Sequence, residues 1–266
     1  MANVSDRQER RLRALQELAV GLGRADFDRR YPELTLPPVV ALVCAYEEER
    51  SIGAVLEAMP AEACGLPVAT VVVVDGGTDA TAKLAQDAGA ITFVLPVNLG
   101  HGVALRVGYD LCVGAGARYV VTLDADGQND PAEIETMLQP LVDDAADFVV
   151  ASRRLGVDET DDRYRQAGVV FFATLMNTLI GTRLTDTSNG FRALRAAMLS
   201  DVVPRLVQDQ YQTSELLITA VKRGWRVTER PTVWHERTAG TSKKGSNLRY
   251  GARYATVVVA TWWRER

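Results

Sequence analysis

The stretch 118-RYVVTLDADGQNDP-131 decides the reading of the fold. From Tyr119 to Leu123 the residues are apolar or β-branched, as in a strand covered on both faces, and the run ends in two aspartates one residue apart. Asp, Gly and Asn are ordinary turn formers, and Asp130-Pro131 is a common way to open a helix. The same residues also read as a hard-cation site. The oxygens of Asp124, Asp126 and Gln128 suit Mg²⁺ or Mn²⁺, which fills the rest of its shell with water and ligand phosphates.

Upstream, the strand pattern repeats with helices between: VVALVCAY, a helix over 52–59, ATVVVVD, a helix over 80–88, ITFVL and a helix over 103–115. Short, wholly apolar strands alternating with helices predict a parallel, Rossmann-like α/β half. Downstream the regularity weakens. A helix to Leu141 leads to a strand DFVVASRR, a polar loop over 154–162 and an apolar helix over 167–180. The turn DTSNGFR, a helix to Leu206, a helical stretch over 215–223, a strand WRVTERPTVW and a basic tail complete the chain. Residues 5–23 predict an amphipathic helix with Leu12, Leu15, Leu18 and Leu22 on one face. The expected organisation is a helical extension over 1–37, an α/β domain over 38–245 and a basic amphipathic segment over 246–266.

A chain of 266 residues with 47% hydrophobic content can bury one large α/β core. Its longest apolar run, 167–180, is shorter than the roughly 20 residues that span a bilayer. The N-terminus lacks the apolar core of a signal peptide, and three cysteines without metal-type spacing suit a reducing compartment, so a cytoplasmic location is expected, with peripheral contact at the inner membrane face. The net charge of −4 hides an asymmetry: from Lys222 onward there are 11 Lys or Arg against three acids, a surplus of eight that leaves −12 on the remainder. A basic end on an acidic protein points to an anionic partner, such as phosphates or a membrane surface, or to a solvated charged face.

In open α/β sheets ligands bind beyond the carboxyl ends of the strands. Those ends carry 44-CAYEEERSI-52, 75-DGGTDAT-81, 98-NLGHG-102 and 124-DADGQ-128. Asp75 can accept hydrogen bonds from a base or ribose, while Asp79 or Thr78 can cap the next helix. No G-x-G-x-x-G follows the first strand and no G-x-x-x-x-G-K-[ST] occurs, which argues against dinucleotide oxidoreductases and P-loop enzymes.

Taken in order, CAYEEE, DGGTDAT, NLGHGVAL, LDADGQNDP, ASRR, DTSNGFR and ERTAGTSKKG resemble family 2 glycosyltransferases of the GT-A fold, most of all the dolichyl- or polyprenyl-phosphate sugar synthases. The resemblance covers about residues 38–245. It implies that Ala45, Tyr46 and Glu48 belong to a nucleotide-binding pattern P-x-Y-N-E, with Cys44 in place of Pro and Glu47 in place of Asn. Asp75 matches an aspartate that contacts base or ribose, in a motif usually written D-D-G-S-T-D, so one aspartate is missing here. Asn98, Gly100 and Gly102 match a donor-side loop whose middle residue is often Lys; here it is His101. Asp124, Ala125 and Asp126 are implied to meet the nucleotide sugar, with Asp124, Asp126 and Gln128 holding Mg²⁺ or Mn²⁺. Arg153, Arg165, Arg237, Ser242 and Lys243 are implied to face phosphates of donor and acceptor, and Asp186, Ser188, Gly190 and Arg192 to form the D-x-x-S/N-G-F-R turn.

The implied activity is metal-dependent, inverting transfer of a sugar from a GDP- or UDP-type donor to a polyprenyl or dolichyl monophosphate. The metal held by Asp126, together with Arg153 and Arg165, would stabilise the leaving diphosphate, and Arg153, Arg165, Arg237 and Lys243 would hold the ionised acceptor in line. A same-fold transferase acting on a soluble hydroxyl acceptor is the alternative, and there a base is required; Glu215, in 211-YQTSELL-217, is its candidate or else an exposed helix acid. A nucleotidyltransferase or nucleotide-sugar binder is disfavoured by CAYEEERSI where a G-x-G-T-R-like loop would stand. Two segments offer membrane contact, the 167–180 helix and 248-LRYGARYATVVVATWWRER-266, whose arginines and tryptophans resemble interfacial elements; core packing is the competing role of both. A homo-oligomer is compatible with the sequence, and no nucleic-acid partner is expected.

Overall fold

The computed structural model describes residues 2–160, 163–237 and 247–266. Its first half runs α1 (Ala2–Arg30), β1 (Val39–Ala45), α2 (Ile52–Glu57), β2 (Glu62–Ala63), β3 (Leu66–Val74), α3 (Thr81–Asp87), β4 (Ile91–Val94), α4 (His101–Gly114) and β5 (Tyr119–Asp124). The second half runs α5 (Ile134–Val142), β6 (Phe148–Asp158), α6 (Arg163–Ile180), β7 (Arg192–Arg195), α7 (Ala196–Val202), α8 (Gln212–Lys222), β8 (Val227–Trp234) and α9 (Asn247–Arg264).

Among the described residues these strands form one eight-stranded sheet in the order β2-β3-β1-β5-β7-β6-β8, with β4 on β3. β1 pairs β3, β3 pairs β4 and β1 pairs β5, all parallel, so their carboxyl ends share one edge. The register sets Cys44 beside Asp124 and Val74 beside Ala45. β1 is buried throughout, as the apolar-run reading of the strands requires. This is a GT-A-like α/β sheet flanked by helices.

The second half differs from its sequence reading in two places. Residues 192–195 are a strand, antiparallel to both β5 and β6, where a helix starting from the DTSNGFR turn was expected. The segment RALRAAML carries good helix formers, and only its placement between two strands makes the first four extended. Residues 154–158 are strand too, not loop: β6 continues past a register shift after Ser152 and rejoins β8 at Val157 and Asp158.

Both terminal helices share the main core. Phe27 of α1 stacks on Phe93 of β4 at a centroid distance of 5.4 Å, and Tyr254 of α9 meets Phe172 of α6 at 4.3 Å. α6 buries Val169, Ala173, Met176 and Ile180 while exposing Val170 and Phe171, so it packs on the core along one stripe and leaves the other apolar stripe outside. The leucine face expected on α1 is in fact its outer face: Leu12, Leu15, Leu18 and Leu22 are exposed, and Ala19 and Phe27 make the buried stripe.

Candidate functional site

Three loops from the parallel half meet at the carboxyl edge. The first follows β1. Glu48 donates its amide to Thr81 Oγ1 at 2.8 Å, and its Oε2 accepts from Ser51 Oγ at 3.0 Å, which fixes the carboxylate at the start of α2. Ala45 is buried and Tyr46 half-buried beside it.

The second loop follows β3. Asp75 is 3% exposed, and its oxygens accept the amides of Leu99 at 2.7 Å and Gly100 at 2.9 Å. Burial raises its pKa, and these two amide donors pull it back. Asp75 therefore holds the 98–102 turn in place, a structural role beyond the base or ribose contact expected of it. The glycine that follows Asp75 has its own steric cause. Gly76 has φ of +71°, and a Cβ there would lie 2.5 Å from the Asn98 amide nitrogen. Asp79, one residue before the N-cap of α3, accepts the Thr81 amide at 3.1 Å.

The third loop is 124-DADGQ-128. Asp126 accepts the Gln128 amide at 3.1 Å, and Asn129 Oδ1 accepts the Asp124 amide at 3.3 Å, an Asx-type turn that leaves the two carboxylates side by side. Gly190 approaches from the other half, and a Cβ on it would stand 3.3 Å from Asp124 Oδ1. Burial, then the Asp124 charge, push Asp126 up to about 6, with Arg237 and the Gln128 amide opposing. Gln128 donates its Nε2 to the His235 carbonyl at 3.2 Å and so ties the turn to the end of β8. Ala125 is buried beneath the turn.

Arg237 completes the cluster. Its Nη2 is 2.6 Å from Asp126 Oδ2 and its Nη1 3.4 Å from Glu48 Oε1. Residues from β1, β5 and the segment after β8, scattered over the sequence, thus meet as two paired aspartates, a glutamate and an arginine. Two adjacent carboxylates with an excess of negative charge fit a hard divalent cation. Among the described residues no group of three or more His, Cys, Asp or Glu side chains is placed to hold a metal ion by itself. Asp124 and Asp126 would be the protein's carboxylate ligands, the remaining positions going to water and diphosphate oxygens.

Other expected site residues are engaged within the protein beside this cluster or border it. Arg153 is buried and grips Asp186 in a fork, Nε to Oδ2 at 2.6 Å and Nη2 to Oδ1 at 2.9 Å, with a third bond to Ser188 Oγ at 2.8 Å. Burial would raise Asp186, but this pairing holds it below the usual carboxylate range. Arg153 also lies 5.0 Å from the Trp234 ring centroid, so its guanidinium ties the middle of β6 to the DTSNGFR turn. Arg192 is fully buried and donates to the carbonyls of Asn189, Thr187 and Thr213. Asn98 and His101 are exposed at the mouth of α4, with Gly100 and Gly102 behind them. Arg165 begins α6, and its side chain lies outside the described residues, as do Ser242 and Lys243.

Glu215 overturns both of its readings. It is neither an exposed acid nor placed as a base: it is 0% exposed, and its carboxylate accepts the amides of Val207 and Gln208 and pairs with Arg264 at 2.8 Å. Glu229 was missed. It reaches from β8 to accept the Thr185 and Asp186 amides at 2.8 Å each, and a lone acid within a strand was the available signal.

Comparison with known proteins agrees with this architecture. The chain is 32% identical over 209 residues to a dolichyl-phosphate hexose transferase of Haloferax volcanii, covering 79% of this chain and 88% of that one. It is 30% identical over 203 residues to the polyprenol monophosphomannose synthase of Mycolicibacterium smegmatis, covering 72% and 74%. Among solved structures, glucosyl-3-phosphoglycerate synthase from Mycobacterium tuberculosis, in complex with Mn²⁺, uridine diphosphate and glucosyl-3-phosphoglycerate, superposes with a TM-score of 0.66 at 18% identity, covering 86% of this chain and 80% of that one. Residues 40–203 match the model of Glycosyl transferase family 2, and the chain belongs to that family of glycosyltransferases.

Proposed function

We propose that the chain transfers a sugar, with inversion, from a nucleotide-diphosphate sugar to a polyprenyl or dolichyl monophosphate. The observation that carries this reading is the meeting of Asp124, Asp126, Glu48 and Arg237 at the carboxyl edge of the parallel strands. The relatives named for dolichyl-phosphate and polyprenol-phosphate transfer support the acceptor class. The neighbour bound to Mn²⁺ and uridine diphosphate supports the donor class and the metal.

When bound, Mg²⁺ or Mn²⁺ supplies Lewis-acid stabilisation of the charge on the departing diphosphate. Asp124 and Asp126 would hold that ion, and Arg237, beside Asp126, would offer the phosphates a fork of N–H donors. The 98–102 turn, fixed by Asp75, borders the donor side. A phosphate acceptor is already ionised at neutral pH and needs no base. The burial of Glu215 favours this acceptor over a hydroxyl, because the residue nominated as base is sealed inside the fold.

Peripheral membrane contact belongs to the same reading. Among the described residues no helix is long and apolar enough to cross a membrane. Val170 and Phe171 on α6 and Val259 and Trp263 on α9 are exposed apolar side chains, and Arg253, Arg264 and Arg266 lie on the same C-terminal helix or at its end.

The test is transfer from labelled GDP- and UDP-sugars, with Mn²⁺ or Mg²⁺, to a polyprenyl phosphate and to a panel of soluble hydroxyl acceptors. Lipid-linked product with retained nucleoside diphosphate release is expected. Exclusive labelling of a soluble acceptor overturns the lipid-phosphate reading.

A further inference from the structure

The loop between α7 and α8 touches more of the molecule than its length suggests. Val207 and Gln208 donate their amides to Glu215, at 3.0 Å each to the nearer oxygen. Glu215 is fully buried, and the cation paired with it is Arg264, in the last turn of α9. The other side of the loop rests on α4. The Asp209 carbonyl accepts the Gly102 amide at 2.9 Å, and a Cβ on Gly102 would lie 2.5 Å from the Gln208 carbonyl oxygen. Arg106 donates to that same Gln208 carbonyl at 2.5 Å and to Asp209 Oδ1 at 2.9 Å, while Gln16 of α1 donates to Asp209 Oδ2 at 2.8 Å.

Direct contacts therefore run from the C-terminal helix to the 98–102 turn: Arg264 to Glu215, Glu215 to Val207 and Gln208, and Asp209 to Gly102. Asp75 holds the same turn from the opposite side through Leu99 and Gly100. The turn is held between two carboxylate-anchored supports, one from the sheet and one from the loop. Only the second depends on a helix at the edge of the molecule.

We propose that Arg264 is a positioning residue for the donor-side turn, acting through Glu215 and the 207–209 loop, so that seating of α9 sets the affinity for the sugar donor. This rests on the reading of the 98–102 turn as donor-side. Removing the Arg264 charge leaves a buried carboxylate answered by backbone amides alone, and the loop it anchors slackens against Gly102.

The full chain carrying Arg264→Met is compared with wild type and with Arg264→Lys. Amide hydrogen exchange at Gly102 without ligand is expected to quicken about tenfold in the Met variant. Donor KM is expected to rise about tenfold with kcat changed less than about twofold, and Lys is expected to restore both. Gly102→Ala presses on the same contact from the other side without touching α9 and is expected to raise donor KM as well. Unchanged Gly102 exchange in Arg264→Met, or faster exchange with unchanged donor KM, overturns the proposal. If wild type binds no uridine or guanosine diphosphate, the donor reading fails, while Gly102 exchange still decides whether Arg264 positions the turn.

Discussion

In the parallel half, the charged groups at the strand ends are carboxylates, and the cation that meets them, Arg237, comes from the other half of the chain. In the mixed half, Arg153, Asp186 and Arg192 are buried and answer one another or the backbone. The same residue types thus do two jobs. Acids gathered at the carboxyl edge of β1 and β5 hold negative charge that a metal or an arginine can meet. Arginines folded into the β6, β7 and β8 region spend their hydrogen bonds on building the turn that closes the site.

The contrast is broken most directly at Asp126. Asp126→Ala removes one of the two carboxylates offered to the metal, and sugar transfer is expected to fall by at least about a thousandfold, with far-UV circular dichroism unchanged. EDTA should have the same effect on wild type, reversed by excess Mn²⁺. Full activity of the Ala variant in EDTA would remove the metal from the mechanism.

Arg153→Met and Arg237→Met set the two kinds of arginine against each other. The first strands Asp186, 0% exposed, without its cation, and denaturant unfolding should show a loss of about 3–5 kcal/mol. The second breaks a pair whose arginine is 22% exposed and whose acid can take up a proton, so stability should fall by less than in Arg153→Met while transfer drops at least about tenfold. Equal stability losses would mean that Arg237 is as structural as Arg153.

How much of this was legible depended on the distance between partners. The apolar strand YVVTL and the acids after it are adjacent in sequence, so the sheet edge and the paired aspartates followed from period and composition. The fate of Arg153 did not, because Asp186 lies 33 residues away and nothing local predicts a closed fork. The hold of Asp75 on the 98–102 turn was hidden for the same reason: its amide donors are 24 and 25 residues on. Glu215 failed as both base and surface acid because its counter-ion, Arg264, stands 49 residues later on a helix whose docking the sequence left open. β7 was hidden by its length, four residues that become extended only between β5 and β6.

A finer test of the carboxylate edge uses pH. Asp126 is raised to about 6, chiefly by burial, so its protonated form is favoured in the fold. That contribution to stability is complete below the ordinary aspartate pKa of about 3.9 and is lost as pH rises through about 6. Asp126→Asn should therefore stabilise the metal-free protein by about 3 kcal/mol at pH 7.5 and by nothing measurable at pH 4, read as melting temperature across the range. Mn²⁺ should reverse the order at pH 7.5, raising the melting temperature of wild type only. Metal affinity of wild type should fall as pH drops below about 6, because the carboxyl must lose its proton to bind.

The smallest effect belongs to the outer faces of the two late helices. Trp263 is 67% exposed on α9, and Arg266 lies 3.8 Å from the Trp262 ring centroid beside it, an aromatic and basic end of the kind that settles at a lipid interface. Phe171, 61% exposed on α6, is the second apolar side chain large enough to matter. In flotation with vesicles containing phosphatidylglycerol, Trp263→Ala should reduce bound protein about threefold and the Phe171→Ala, Trp263→Ala pair about tenfold, with transfer to a short-chain, water-soluble polyprenyl phosphate unchanged. Binding should also weaken with salt, since arginine attraction to the anionic surface is screened within about 10 Å at 0.1 M ionic strength. If the double variant floats as well as wild type, these faces do not meet lipid, and their exposure needs a protein partner instead.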